Sequence, residues 1–174
     1  MFNFYAYLSD ILAENHRVRE ERWRLTTCSG LGGLEGALQN ARTHARHVCL
    51  TDTTDTEIFR RAGGWYLREV YTLFLCSQYN ARSGEHTYLQ ALGECRALQQ
   101  EIISRLLYDD DQLRRNLLFL DLDTFRSRDL GQDFLTDTAG LYFQVAIDRP
   151  QDLRFNPEAW DVQQFTRTFD GYFL

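Results

Sequence analysis

The chain contains no lysine. All 19 of its lysine-or-arginine positions are arginine, so every such cation is a planar, multidentate fork suited to carboxylates. A GC-rich coding sequence produces the same bias without any selection for binding, and the arginines therefore assign no partner by themselves. One exclusion does follow. The phosphate loop G-x-x-x-x-G-K-[ST] cannot occur, although Ser29-Gly30-Leu31-Gly32-Gly33 has a comparable glycine density. The nucleophile elbow G-x-S-x-G is missing too. Cys28, Cys49, Cys76 and Cys95 form no C-x-x-C pair, which argues against a zinc knuckle or redox motif and for buried free thiols. No apolar run approaches the roughly 20 residues that a membrane helix needs. Met1-Phe2-Asn3-Phe4 lacks a basic region followed by an apolar core, so the expectation is a soluble protein made in the cytoplasm, with no membrane partner. A net charge of −6 is the wrong sign for phosphate neutralisation and argues against direct nucleic-acid recognition. There is no internal repeat and no low-complexity segment.

What is present is enough apolar material, 44% of the chain with 14% aromatic, to bury one continuous core at this length. Phe2, Tyr5, Leu8, Ile11 and Leu12 recur at helical spacing and predict a first helix ending near Asn15. From Arg17 to Thr27, Trp23, Leu25 and Thr27 alternate with Arg22, Arg24 and Thr26, as in a half-buried strand. Ser29 is placed to cap a second helix with a stripe of Leu31, Leu34, Leu38 and Ala41, weakened by Gly32, Gly33 and Gly36. Val48-Cys49-Leu50 suits a buried strand.

The strongest pattern runs from Glu57 to Asn80. Two β-like runs, Glu57 to Arg61 and Trp65 to Tyr79, meet around Gly63-Gly64, whose freedom at positive φ suits a tight hairpin turn. As one strand, Trp65 to Ser77 spans roughly 40 Å at about 3.3 Å per residue. Its Leu73 to Cys76 end is apolar on both faces and its Trp65 end alternates, so the hairpin is expected to root in the core and expose its tip. A projecting strand pair is a device for contacting another chain.

Beyond it, Tyr88, Ala91, Leu92, Cys95, Leu98, Ile102 and Leu106 predict a long helix capped at Ser83 and ending at Leu107-Tyr108, with Asp109-Asp110-Asp111 opening the next connection. Leu118, Leu120 and Leu122, and then Leu141, Phe143, Val145 and Ile147, predict two strands of a second hairpin whose turn lies in Leu130 to Gly140. After Pro150 the aromatic residues have no period, and such a tail packs on its own domain or on a neighbour.

Several clusters could carry chemistry. His44 and His47 are three apart, with no third ligand in sequence, and read as solvated histidines at a helix end. Asp52, Asp55 and Glu57 lack the spacing and glycine of a calcium loop. Asp109 to Asp111 with Asp121 and Asp123 could be imagined as a two-metal hydrolase site, but strand alternation puts the last two on a solvent face. Arg17, Arg19, Arg22 and Arg24 read as a solvated strand face or an interface. The expectation is no catalytic residue, no metal site and no cofactor. Arginine and aromatic residues are enriched where partners meet, which selects Arg60, Arg61, Gly63, Gly64, Trp65 and Tyr66 at the hairpin tip as interface candidates, with Trp160, Phe169 and Phe173 in the tail.

Asn15-His16-Arg17 after the first helix and Val48-Cys49-Leu50 before an acidic loop contribute to a wider likeness. So do the helix ending Ile103-Ser104-Arg105-Leu106-Leu107-Tyr108-Asp109-Asp110, Phe119-Leu120-Asp121-Leu122 and Gly140 to Val145. In these features and in element order, up to about Asp148, the chain resembles the tail-completion, or tail-terminator, proteins of tailed bacteriophages and tail-like particles. The resemblance implies a small α+β subunit with an antiparallel or mixed sheet, a long β-hairpin and flanking helices. It implies self-association into a ring, commonly of six copies, that caps the tail tube and contacts other tail or neck proteins. Its expected location is the host cytoplasm during assembly and then the virion tail. A head-tail connector or tube subunit would use a similar fold; a metal-dependent hydrolase and a monomeric peptide-binding adaptor are the competing classes. The domain is expected over residues 1–148, with 149–174 as an aromatic extension.

Overall fold

Two asparagines set the start of the chain. The structure, a computed structural model, describes residues 2–29, 33, 36, 45–80, 85–123, 125–131 and 137–159. Asn3 accepts the Ala6 N–H at 3.1 Å and begins α1 (Phe4–Glu14). Asn15 then accepts the Val18 N–H at 2.9 Å and restarts the helix as α2 (His16–Glu20). This corrects the strand expected from Arg17. Arg17 has acidic partners on both sides that favour a helical turn: it pairs with Glu21 four residues on and with Glu101, each at 2.8 Å. The turn closes at Arg22, which adopts φ 59°, and only then does β1 (Arg24–Cys28) begin.

The remaining elements are β2 (Arg46–Thr51), β3 (Asp55–Arg61), β4 (Gly64–Gln78), α3 (Glu85–Arg115), β5 (Phe119–Leu120), β6 (Ser127–Leu130), β7 (Thr138–Pro150) and a 3-10 turn, Pro157–Ala159. They make an α+β fold around a seven-stranded mixed sheet of order β1-β2-β4-β7-β5, with β3 on β4 and β6 on β7. The pairing of β1 with β2 is parallel; the other pairings are antiparallel. Along its whole length β7 pairs with β4, from Tyr66↔Pro150 to Gln78↔Thr138. The other edge of β4 is shared, with β2 beside Leu73 to Ser77 and β3 beside Gly64 to Val70.

The two faces of this sheet differ. Val48, Leu50, Tyr71, Leu73, Leu75, Leu141, Phe143, Val145 and Ile147 belong to one core, closed by α1 through Phe4, Leu8 and Leu12 and by α3 through Cys95, Leu98, Ile102 and Leu106. Phe4 stacks on Tyr71 with ring centroids 4.3 Å apart. On the opposite face a smaller cluster gathers Cys28, Cys49, Phe74, Cys76 and Leu130. All four cysteines are buried free thiols, as the sequence implied. Burial pushes the Cys28 thiol up to about 11 and Cys95 up to about 12.

The helix expected to stop at Tyr108 continues to Arg115, 31 residues in all and about 46 Å long. The Asp109-Asp110-Asp111 run does not break it, because Arg105–Asp109 and Arg114–Asp110 are i,i+4 ion pairs and Leu113 reaches the core. The second hairpin also differs. Both β5 and β6 pair with the same edge of β7, and the register shifts between them: Leu120 faces Ile147, whereas Ser127 faces Phe143. Asp121 N–H still reaches the Ala146 carbonyl and Gln144 N–H the Arg126 carbonyl, so the two short strands run along one edge of β7 on either side of the register shift. The cap at Ser83 and the Leu31, Leu34, Leu38 and Ala41 stripe lie outside the described residues; Gly33 and Gly36 are helical, and the Ser29 hydroxyl donates to Asp52.

Candidate assembly surface

The hairpin expected from Glu57 to Asn80 forms, with β3 and β4 closing through Ala62 and Gly63. The turn lies one residue earlier than the Gly63-Gly64 pair implies. Ala62 (φ 47°) and Gly63 (φ 84°) hold the two left-handed positions, while Gly64 is the first residue of β4. Because β7 reaches Pro150, the outer half of the hairpin is a three-stranded arm, β3-β4-β7, rather than a bare pair.

The arm is braced from below and open at its side. At its base Arg68 donates through Nε to Asp148 Oδ1 at 2.7 Å and through its terminal nitrogen to Oδ2 at 3.0 Å, a bidentate fork on a carboxylate that is 2% exposed. The same guanidinium lies 3.5 Å from Asp121 and 5.3 Å from the Phe59 ring centre. Its acidic neighbours, Asp148 first, hold its proton more tightly than usual. On the other face Arg149 pairs with Glu69 at 3.0 Å. Each clamp crosses from β4 to β7, and the first also reaches the residue following β5.

Toward the tip the covering thins. Every β3 residue except Phe59 is exposed. Ile58 is 52% exposed and Trp65 45%, both on the face that α1 and α3 cover lower down. In register, Ile58 faces Leu67 and Arg60 faces Trp65. Of the interface candidates at the tip, Arg60, Arg61, Gly63 and Trp65 are solvent-facing and Gly64 is half-buried. Tyr66 is half-buried as well, stacked on Phe59 and edge-on to Phe119, each with centroids 6.0 Å apart. Trp160, Phe169 and Phe173 lie outside the described residues. Sequence reasoning missed Ile58, whose signal was a lone aliphatic residue in Asp-Thr-Glu-Ile-Phe-Arg-Arg, and it missed the Arg68–Asp148 clamp, whose partners are 80 residues apart. Beside the arm, on the face away from the helices, Val70, Thr72, Phe74, Leu130 and Tyr142 line a groove of about 460 Å³.

The other clusters are dispersed by the fold. His47 is 2% exposed within β2, in register with Cys76, rather than solvated at a helix end; His44 lies outside the described residues. Asp109 accepts from the Tyr7 hydroxyl at 2.9 Å and from Arg105 at 2.8 Å, and burial with this bond raises the Tyr7 phenol well above its usual range. Asp110 binds Arg114, Asp111 is exposed, Asp121 faces Arg68, and Asp123 is exposed. Among the described residues no group of three or more His, Cys, Asp or Glu side chains could hold a metal ion. No described helix is long and apolar enough to cross a membrane. No family model matches the chain, and no curated protein matches it either.

Proposed function

We propose that this chain is a structural assembly subunit that associates with copies of itself through the arm. In the form its sequence resembles, it is a tail terminator, a ring-like homo-oligomer that caps a tail tube and contacts neck components, assembling in the host cytoplasm and remaining in the particle. The observation that carries the reading is the arm itself. It is a clamped, three-stranded end of the sheet whose outer strand has no partner on its far side among the described residues and whose tip shows Ile58 and Trp65 to solvent. Large exposed apolar side chains with arginine neighbours are the chemistry of partner surfaces. A head-tail connector or tube subunit would use the same surface. Capture of a peptide on the β3 edge is the second reading, favoured by the apolar groove next to that edge.

The test is the mass of the full chain by light scattering after size exclusion, compared with Ile58→Thr/Trp65→Ala. The expected result is a closed oligomer for the parent and a lower mass for the variant, with circular dichroism unchanged. Tyr66 is left intact because its ring supports the arm. A parent that stays monomeric at the highest attainable concentration overturns the proposal.

A further inference from the structure

The outer edge of β3, unpaired among the described residues, has an order of charges that selects its own copy. Asp55 and Glu57 stand at its start and Arg60 and Arg61 at its end. Asp55 and Arg61 are exposed, and neither takes part in an ion pair among the described residues. An edge strand is commonly blunted with charges of one sign, which repel any added strand. Here the two signs are segregated to opposite ends, and that is repulsive in one orientation only.

The hairpin fixes which backbone groups are available. Arg61 and Gly64 close a two-residue turn, so the odd-numbered residues of β3 spend their N–H and C=O on β4. Thr56, Ile58 and Arg60 direct theirs outward. A second strand must therefore pair with these three, and the register that uses the whole strand antiparallel to itself puts Ile58 opposite Ile58 of the second copy. Thr56 then faces Arg60, Glu57 faces Phe59, and Asp55 faces Arg61, each twice by symmetry. On the helix side of the sheet the two exposed Ile58 side chains cover each other. On the groove side the end charges pair in opposite sign at cross-strand distance. The two Glu57 carboxylates lie diagonal to one another, and each has Arg68 as its register partner in β4 to offset it. A parallel arrangement would instead put Asp55 beside Asp55 and Arg61 beside Arg61.

We infer that the arm's partner is the β3 edge of a second copy of this chain, joined antiparallel across a two-fold axis at Ile58 into a continuous sheet. The inference rests on the reading of the arm as an assembly surface and specifies its contact. An isologous contact of this kind closes on itself. By itself it gives a dimer; the ring of the proposed function then needs a second, head-to-tail surface besides the arm, and the assembled copy number is even.

Complementary charge reversal tests it with the full chain. Asp55→Arg puts arginine opposite arginine twice, and Arg61→Asp puts aspartate opposite aspartate twice. Each variant alone is expected to associate at least about tenfold more weakly by sedimentation equilibrium. Mixed one to one, they carry opposite signs at both contacts and are expected to regain the parent's affinity as a mixed pair. Ile58→Pro removes an N–H that faces outward and spares the β3–β4 ladder, so it is expected to abolish pairing with the hairpin intact. If the parent associates but the mixture recovers nothing, or if Ile58→Pro associates normally, the β3 pairing is wrong and the broader assembly reading stands. A monomeric parent sinks both.

Discussion

Replacing Arg68 by methionine tests whether the arm is held by its polar clamp. The substitution keeps most of the aliphatic length and deletes the guanidinium, leaving the Asp148 side chain, 3% exposed, without the fork that makes bonds of 2.7 and 3.0 Å to it. Breaking a buried ion pair from one side costs about 3–5 kcal/mol. Because the Arg68 side chain is 29% exposed, water already weakens the pair, and roughly 2–3 kcal/mol is the expected loss. With a urea dependence of about 2 kcal/mol per molar, the unfolding midpoint should fall by about 1–1.5 M at unchanged slope. Two further variants separate the clamp from lost packing. Arg68→Met/Asp148→Leu removes both charges and should recover most of the deficit, since an apolar pair costs nothing in desolvation. Arg154→Met breaks a pair of similar length, 2.6 Å, whose side chains are 89% and 61% exposed, and should leave the midpoint where it was. If Arg68→Met is no worse than Arg154→Met, or if adding Asp148→Leu deepens the loss, the carboxylate is not held by that arginine and the bracing argument fails.

Gly140 has no room for a side chain: a Cβ there would sit 2.6 Å from the Leu75 carbonyl oxygen, which belongs to the central strand and cannot swing away. Gly140→Ala should cost about 3 kcal/mol in thermal unfolding, and an unchanged melting temperature would show that β4 and β7 are not held in this register. The buried thiols predict alkaline sensitivity. Burial raises the folded pKa of Cys95 from about 9 to about 12, so its contribution is full below pH 9 and is lost as pH climbs from there through 12. At pH 10 the loss is about 1.4 kcal/mol. Cys28 and Cys76 shift in the same direction. Melting temperature should therefore drop between pH 8 and pH 10, and Cys95→Ala should flatten part of that drop; equal slopes for parent and variant would refute the thiol assignment.

Period made most of the core legible, though in the first helix it selects Tyr5, which is exposed, where Phe4 is buried. The apolar stripe from Tyr88 to Leu106 is buried throughout, and Leu141, Phe143, Val145 and Ile147 all point into the same core. What period could not supply was the effect of local ion pairs and caps. Asn15 can end one helix and begin another, and nothing in the alternation of Arg22 to Thr27 says that Arg17 is tied to Glu21 and Glu101. Three consecutive aspartates read as a connection, yet arginines at positions 105 and 114 neutralise two of them along the helix. The hairpin and its exposed tip could be read because turn chemistry is local. The clamp beneath could not, since Arg68 and Asp148 meet only when β7 pairs with β4. Tyr66 illustrates the limit of reading a surface by residue type, for an aromatic beside an exposed tryptophan is here a brace between Phe59 and Phe119.

The clamps and the open edge are two parts of one device. Joining two strands costs the conformational freedom of whatever must be ordered on contact, so a limp edge binds weakly even where its charges match. In this chain the ordering is done before any partner arrives. Arg68 is forked onto Asp148, Arg149 donates a single bond to Glu69, and the ring of Phe59 is held between Tyr66 and Arg68. Phe59 is the one residue of β3 that is not exposed, and it anchors the strand next to Ile58, while the backbone groups of Thr56, Ile58 and Arg60 have no partner outside the hairpin among the described residues. Loosening the base should therefore weaken association without touching a residue at the contact. Arg68→Met, studied at a urea concentration of zero where the fold persists, is expected to associate less tightly than the parent although Asp55, Ile58 and Arg61 are unchanged. Equal affinity in the two proteins would mean that the edge orders itself on binding and that the clamps serve stability alone.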